Sequence, residues 1–306
     1  MANPNLRENK LKRALYLPFR SIAKRLFPIR YVKSQYRYIT HHKLNLINPV
    51  RYTEKLQYLR LFAYPKDELV SKCAGRVGAR EYVAKKGYGA TLIPIYGIYN
   101  RFSEIDFAHL PKQFVMKCTH ACAFNEIVRD KAKLDLIPVA KKFAKWLKTD
   151  YGASTLERHY SPIKPQIIVE KFIGEVDALP IEYKIHVFNG VARSMYVVTG
   201  RGVDIRYNNY YIDWKPFDGS QFNGWKKRDE KIIPPANWGD MVKMAEDLAR
   251  PFPFVRIDLY NVKGRIYFGE MTFTPAKGTL ILDDDRCDFE MGKWLDISQY
   301  KHKKSR

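Results

Sequence analysis

The sequence predicts an α+β fold in which helical stretches frame antiparallel sheets built from hairpins, behind a basic, helical N-terminal region. Three observations carry this. Phe252–Pro275 is two apolar, aromatic-rich runs flanking Asn261-Val-Lys-Gly264, and Glu182–Thr199 is two more about Asn189-Gly190. Helical periodicity fills the segments before and between them. With 306 residues, 46% hydrophobic and 14% aromatic, the chain can bury a large core, which excludes general disorder away from its ends.

The first 37 residues carry ten Lys and Arg against Glu8 alone, out of a net charge of +22. Leu11, Leu15, Phe19, Ile22, Ala23 and Leu26 fall at helical spacing among them, and Pro18 starts a second helix or kinks the first. Such a helix either lies on an anionic membrane face or docks on the domain with a solvated basic rim. The charge calls for an acidic partner, and the absence of any zinc pattern or RNA-binding signature argues against nucleic acid. Cys73, Cys118, Cys122 and Cys287 lack zinc-site spacing and read as free thiols of a reducing cytoplasm. Neither a signal peptide nor a membrane span is visible, so the expected location is cytoplasmic.

Helices are expected over Glu54–Phe62 and Asp67–Lys86, the second stopped by Gly87-Tyr-Gly89, a lone GxG that reads as loop punctuation. Leu92–Tyr99 is a strand or strand pair. Phe114–Cys118 is a short buried strand with Lys117 inside it, which needs an anionic partner or must snorkel. Thr119–Asn125 is a loop of small residues, able to pass close to a ligand. Lys131–Tyr151 reads as a basic amphipathic helix and Pro165–Gly174 as a strand with Glu170 at its inner end. In the Asn-Gly hairpin, Lys184 and His186 share a face; His186 reads as structural. Residues 200–235 are a long irregular segment, and Trp238–Arg250 is a helix.

The second hairpin holds the densest chemistry. With Val262–Gly264 as a three-residue loop, Arg256 faces Glu270 and Asp258 faces Phe268. Period-two alternation then puts Arg256, Asp258, Glu270 and Thr272 on one face. Two carboxylates there need a cation, either Arg256 or magnesium, which favours a couple of carboxylates plus phosphate and water. The plainer alternative is an Arg256–Glu270 cross-strand pair with Asp258 exposed.

The order of these parts resembles the ATP-grasp fold, and more narrowly the TupA-like ATP-grasp proteins of polysaccharide biosynthesis. The strings that match are Glu54-Lys-Leu-Gln57, Lys72-Cys-Ala-Gly-Arg76 with Arg80-Glu-Tyr-Val83, Phe114-Val-Met-Lys117-Cys-Thr-His120, Ile168-Val-Glu-Lys171, Glu182-Tyr-Lys184 with Phe188-Asn-Gly190, and Phe252–Pro275. The resemblance implies a basic helical region over 1–66, an ATP-grasp domain over 67–300 with lobes 67–170 and 171–300 clamping ATP, and a basic tail over 301–306. It implies that Arg76 and Lys117 meet the phosphates, with His120 and Asn125 in the adjoining loop. Glu170, Lys171, Phe172 and Ile173 form the adenine hinge, and Glu175 or Asp177 binds ribose. Lys184 reaches the terminal phosphate, Asp258, Glu270 and Thr272 hold Mg2+, and Arg256 steadies the reacting oxygens, so that Lys184 and Arg256 are the catalytic pair. Two positions depart from the family pattern. Arg76 replaces lysine, and Ala121-Cys122-Ala123 replaces a glycine-rich loop, where alanine resists positive φ.

The activity implied is an ATP-dependent carboxylate–amine ligase working through an acylphosphate. Its substrates are expected to be an amino acid or other amine and a uronic-acid carboxyl of an anionic polysaccharide or lipid-linked glycan. Two other readings stay open: a glycosyltransferase of the same pathway, for which Asp283-Asp-Asp285 is the formal motif, and a non-catalytic ATP-grasp scaffold.

Overall fold

Two tight turns set the architecture. Asn189 and Gly190 have φ of 47° and 82°, and Lys263 and Gly264 have φ of 52° and 82°. Both are two-residue loops with left-handed central residues, the geometry that matches strand twist. The computed structural model describes residues 20–174, 179–220, 224, 226–229 and 231–300.

Residues 20–26 are helical, and Pro28 begins α1 (Pro28–Thr40); the portion of the amphipathic pattern before residue 20 lies outside the described residues. α2 (Tyr52–Tyr58) starts where the Glu54 carboxylate accepts the backbone N–H groups of Val50 and Arg51, and it continues through a wider turn, Leu59–Ala63. Asp67 caps α3 (Glu68–Ala74) by accepting from Leu69 and Val70. The single helix expected over Asp67–Lys86 is broken at Gly75, where ψ is 137°, and resumes as α4 (Arg76–Val83).

Next come β1 (Ile95–Tyr99), β2 (Phe114–Cys118), β3 (Asn125–Val128), α5 (Leu136–Leu147), α6 (Tyr151–Thr155) and β4 (Ile167–Lys171). The strands form an antiparallel sheet in the order β1-β4-β2-β3. Phe143 of α5 packs with Phe114, Met116, Ile167 and Val169 beneath it. α5 begins at Leu136, capped by Asp135, five residues later than the periodicity suggests.

The second sheet holds β5 (Glu182–Phe188), β6 (Val191–Thr199), β7 (Arg206–Tyr211), β8 (Phe254–Val262) and β9 (Arg265–Thr272), in the order β7-β6-β5-β8-β9. α7 (Trp238–Ala249) buries Met241, Met244, Ala245 and Leu248 in the core that holds the second sheet's Ile185, Val187 and Ile257. β7 lies inside the segment that reads as irregular. α8 (Asp285–Trp294) follows, capped by Asp284, so Asp283-Asp-Asp285 is a helix start; Asp285 pairs with Arg51.

Tyr52, Leu56, Leu59, Val70, Ala79 and Val83 belong to the core of the second sheet. The packing therefore does not break between residues 66 and 67, where the sequence suggests a boundary. It also draws α3 and α4 away from the first lobe expected over 67–170. Among the described residues no helix is long and apolar enough to cross a membrane.

Candidate functional site

The β8–β9 turn is one residue shorter than the three-residue loop expected, so Val262 pairs with Arg265. That alone would send Glu270 to the opposite face. A bulge at Gly269 restores it: the register shifts between Asp258 and Leu259, and Asp258 pairs with Glu270 while Arg256 pairs with Thr272. A Cβ on Gly269 would stand 2.8 Å from the Asp258 carbonyl oxygen, so the bulge needs glycine here.

The registers of the five strands align into two polar rows. One runs Asn209, Tyr196, Lys184, Asp258, Glu270; the next runs Tyr211, Ser194, His186, Arg256, Thr272. Arg256 grips Asp258 with two parallel bonds, Nε to Oδ1 at 2.6 Å and Nη2 to Oδ2 at 2.7 Å. It also donates to Thr272 Oγ1 at 2.9 Å and Tyr196 OH at 2.8 Å, and lies 3.4 Å from Glu270 Oε1. Lys184 Nζ bonds Asp258 Oδ2 and stands 3.0 Å from Glu182 Oε2. Burial works against the Lys184 charge, but Asp258 and Glu182 outweigh it and hold the ammonium above its ordinary range. Asp258 is only 3% exposed. The exposed Asp258 of the plainer alternative is thus overturned, and Arg256 together with Lys184 is the cation the face needs.

Glu182 and Arg201 were not singled out as site residues in the sequence. Arg201 Nη2 donates to Glu182 Oε2 at 2.8 Å, and its Nε lies 2.7 Å from Oε1 as an ion pair without hydrogen-bond alignment. Glu182 was visible in a matching string, but its partner comes from the irregular segment after β6, and no spacing rule joins them.

Across the cleft, Lys117 Nζ lies 2.5 Å from Glu170 Oε2, an ion pair without hydrogen-bond alignment. Burial raises the Glu170 carboxyl, yet Lys117, with Arg76 and Arg80 behind it, holds it below its ordinary range. Arg76 opens α4, donates to the Cys118 carbonyl at 3.1 Å and stands 3.7 Å from Glu270 Oε2. Arg76, Arg80, Cys122, Tyr160, Glu170 and Glu270 line one cleft. The structure thus brings Arg76 and Glu170 to the same opening as Glu270, with Lys117 paired to Glu170 and with Lys184, Arg256, Asp258 and Thr272 beside it.

Lys171 is exposed, and its backbone N–H donates to the Pro94 carbonyl; Phe172 is buried and Ile173 half-buried. Asn125 is exposed at the start of β3. His120 is buried with Nε2 at 3.2 Å from the carbonyls of Trp146 and Thr149, so its ring faces the end of α5. Burial lowers its basicity, against the pull of those carbonyls. Glu175 and Asp177 lie outside the described residues. In the small-residue loop Ala123 takes φ of 61°, so alanine adopts the left-handed backbone that a glycine would fill.

Magnesium fits one of the two carboxylates as they stand. Glu270 is one-third exposed at the cleft, and its Oε2 stands 3.7 Å from Arg76. Both Asp258 oxygens are engaged by Arg256, and one also by Lys184. Among the described residues no group of three or more His, Cys, Asp or Glu converges. The donor set therefore suits one protein carboxylate, with phosphate and water completing the shell.

Solved structures with similar backbones include D-alanine–D-alanine ligase from Bacillus anthracis complexed with ATP, at 12% identity and a TM-score of 0.42, covering 67% of this chain and 56% of that one. The Helicobacter pylori D-alanine–D-alanine ligase is 13% identical with a TM-score of 0.44, over 80% of this chain and 67% of that. L-amino acid ligase from Bacillus licheniformis is 15% identical with a TM-score of 0.42, over 67% of this chain and 43% of that. The chain spans less than two thirds of the first and third of these proteins. No curated protein matches the sequence. The TupA-like ATPgrasp family matches residues 54–296, which take in both sheets and every residue of the cleft, and the chain belongs to that family.

Proposed function

We propose that this chain is an ATP-dependent carboxylate–amine ligase that activates a uronic-acid carboxyl as an acylphosphate and passes it to an amine. The acceptor carboxyl would belong to an anionic cell-surface polysaccharide or its lipid-linked precursor. The observation that carries the reading is the polar row Lys184–Asp258–Glu270, with Arg256 beside it, at a cleft that Arg76 and the Lys117–Glu170 pair also border. Phosphoryl transfer spreads charge over several oxygens and asks the protein for fixed cations and positioning rather than a nucleophile. In this reading Arg76, Lys117 and Lys184 meet the phosphates, Arg256 steadies the reacting oxygens, and Glu170–Ile173 edge the adenine. Bound magnesium would neutralise phosphate charge, with Glu270 as its protein ligand and Thr272 and Asp258 next to it. The carboxyl oxygen attacks the γ-phosphorus, ADP leaves, and the amine then displaces phosphate from the acyl carbon.

The basic N-terminal helix supports work at an anionic membrane face. Ile22, Leu26 and Phe27 are all more than half exposed, with Arg20, Lys24 and Arg25 among them.

Calorimetric titration with ATP and magnesium tests the reading. The native chain should bind, and the Asp258→Ala, Glu270→Ala double variant should not. Native protein that takes up a sugar nucleotide and not ATP would sink it; native protein that binds neither supports the scaffold reading.

A further inference from the structure

Six acids of the described residues are buried: Glu54, Glu157, Glu170, Glu182, Asp258 and Asp288. Glu54 and Asp288 are met by backbone N–H groups, the latter also by Thr53 Oγ1. Glu170, Glu182 and Asp258 are met by Lys or Arg. Glu157 differs. Its Oε1 accepts from Thr274 Oγ1 at 2.5 Å, while Oε2 is buried with no hydrogen-bond partner. An unmet carboxylate oxygen out of water is costly and calls for a donor.

Arg60, a buried cation that feels the charge of Glu157, does not supply one. Arg60 directs its donors to the carbonyls of Thr155, Leu156 and Lys277 and to the Gln57 side chain. His159, next door, leaves both ring nitrogens unpartnered, and burial followed by the nearby Arg60 lowers it to about 3. It is therefore a neutral imidazole, and no hydrogen bond from it reaches Glu157.

The position ties Glu157 to the candidate chemistry. Thr274 follows by two residues Thr272, which bonds both Arg256 and Glu270. Tyr160, whose backbone N–H donates to the Glu157 carbonyl at 2.9 Å, lines the cleft with Cys122, and the Cys122 thiol meets its hydroxyl at 3.1 Å.

We infer that Glu157 is the carboxylate that receives the ammonium group of the amine co-substrate, reached past Cys122 and Tyr160. This rests on the ligase reading. The ammonium gives one proton to Glu157, the freed nitrogen lone pair bonds the acyl carbon, and the carbon–oxygen bond to phosphate breaks with its electrons leaving on phosphate, which takes the second proton from the nitrogen. The site takes a primary amine in its charged form and holds it at the end of β9, beside the row where the acylphosphate forms.

The test uses Glu157→Gln, which keeps the volume and the acceptor for Thr274. Galacturonate serves as the carboxyl substrate; glycine, alanine, glutamate and lysine serve as charged amines, and hydroxylamine, mostly uncharged at neutral pH, as the control. The variant should raise the KM of the productive charged amine about tenfold or more, and Glu157→Asp should restore part of it. Hydroxamate formation, the Kd for ATP with magnesium and the melting temperature should stay near native values. An unchanged amine KM overturns the inference and leaves Glu157 holding an internal water. Equal losses with hydroxylamine, or a matching fall in ATP affinity or melting temperature, overturn it in favour of a structural role. If native protein turns over neither amines nor hydroxylamine, the ligase reading falls and takes this inference with it.

Discussion

His186 shows what a single side chain contributes to this face. It pairs in register with Arg256, holds Ser194 Oγ through Nδ1 at 3.1 Å, and is lowered to about 3 by burial first and then by Arg256 and Lys184. With His159 it makes two imidazoles that stay neutral in the fold yet take up protons once unfolded. Below the unfolded value near 6.5 the unfolded chain binds more protons, so stability falls as pH falls. Glu170 and Glu182, both held below their ordinary range, add their loss only further down, below about 4.5. Urea unfolding at about pH 5.5 should therefore give a stability roughly 3 kcal/mol below that at about pH 7.5, from the two histidines together. A flat profile over that interval would show that neither is held neutral by the fold, and half the fall that only one is. The lysine inside β2 was legible as needing an anion or a path to solvent, because a cation in a buried strand must be paired or snorkel. Its partner, Glu170, sits on a neighbouring strand brought there by topology, which no local pattern announces.

At the scale of elements, the β8–β9 hairpin was legible because alternation and a left-handed glycine are local. Its bulge was not, since the sequence marks Gly269 no differently from any strand glycine. The two effects add: the shorter loop moves the register by one and the bulge moves it by one more, so Glu270 returns to its expected face but pairs with Asp258, and Arg256 pairs with Thr272. Gly269→Ala should undo the second alone. Its Cβ would press the Asp258 carbonyl, so a destabilisation of about 2 kcal/mol and loss of ATP binding are expected, by urea unfolding and calorimetry. The small-residue loop runs the other way. Ala123 already holds a left-handed φ of 61°, so Ala123→Gly should stabilise the protein by about 1 kcal/mol if the strain exceeds the entropy glycine adds. A loss on the same urea titration would show that the strain is not there. In α8 a Cβ on Gly292 would collide with the Val50 carbonyl, so the glycine serves a backbone-to-backbone approach.

For the whole molecule, the charge of +22 sets how the protein meets its surroundings. Attraction to an anionic glycan or lipid surface through that charge is screened over about 8 Å at physiological salt. Sedimentation with vesicles containing phosphatidylglycerol should fall steeply between about 50 and 300 mM salt. Ile22→Ser with Leu26→Ser should weaken it even at low salt, because the apolar contribution is lost with the charge kept intact. Binding that ignores both changes would remove the N-terminal helix from the interaction. The two-sheet plan was legible from the order of the parts. The merging of α2–α4 into the second sheet's core was not, because an amphipathic helix does not state which sheet it covers.

The joint between α2 and α8 has a consequence for how the chain acquires its shape. Thr53 bonds Asp288 twice, Lys55 caps the carbonyls of Gly292 and Leu295, and Tyr58 reaches the Tyr300 carbonyl, all across more than 230 positions of sequence. Each of these contacts waits for nearly the entire described chain to exist, and closing so long a loop is entropically unfavourable until the sheet between has formed. During synthesis α2 must therefore stand without its partner until α8 emerges, and the core around Tyr52 and Phe254 is completed only then.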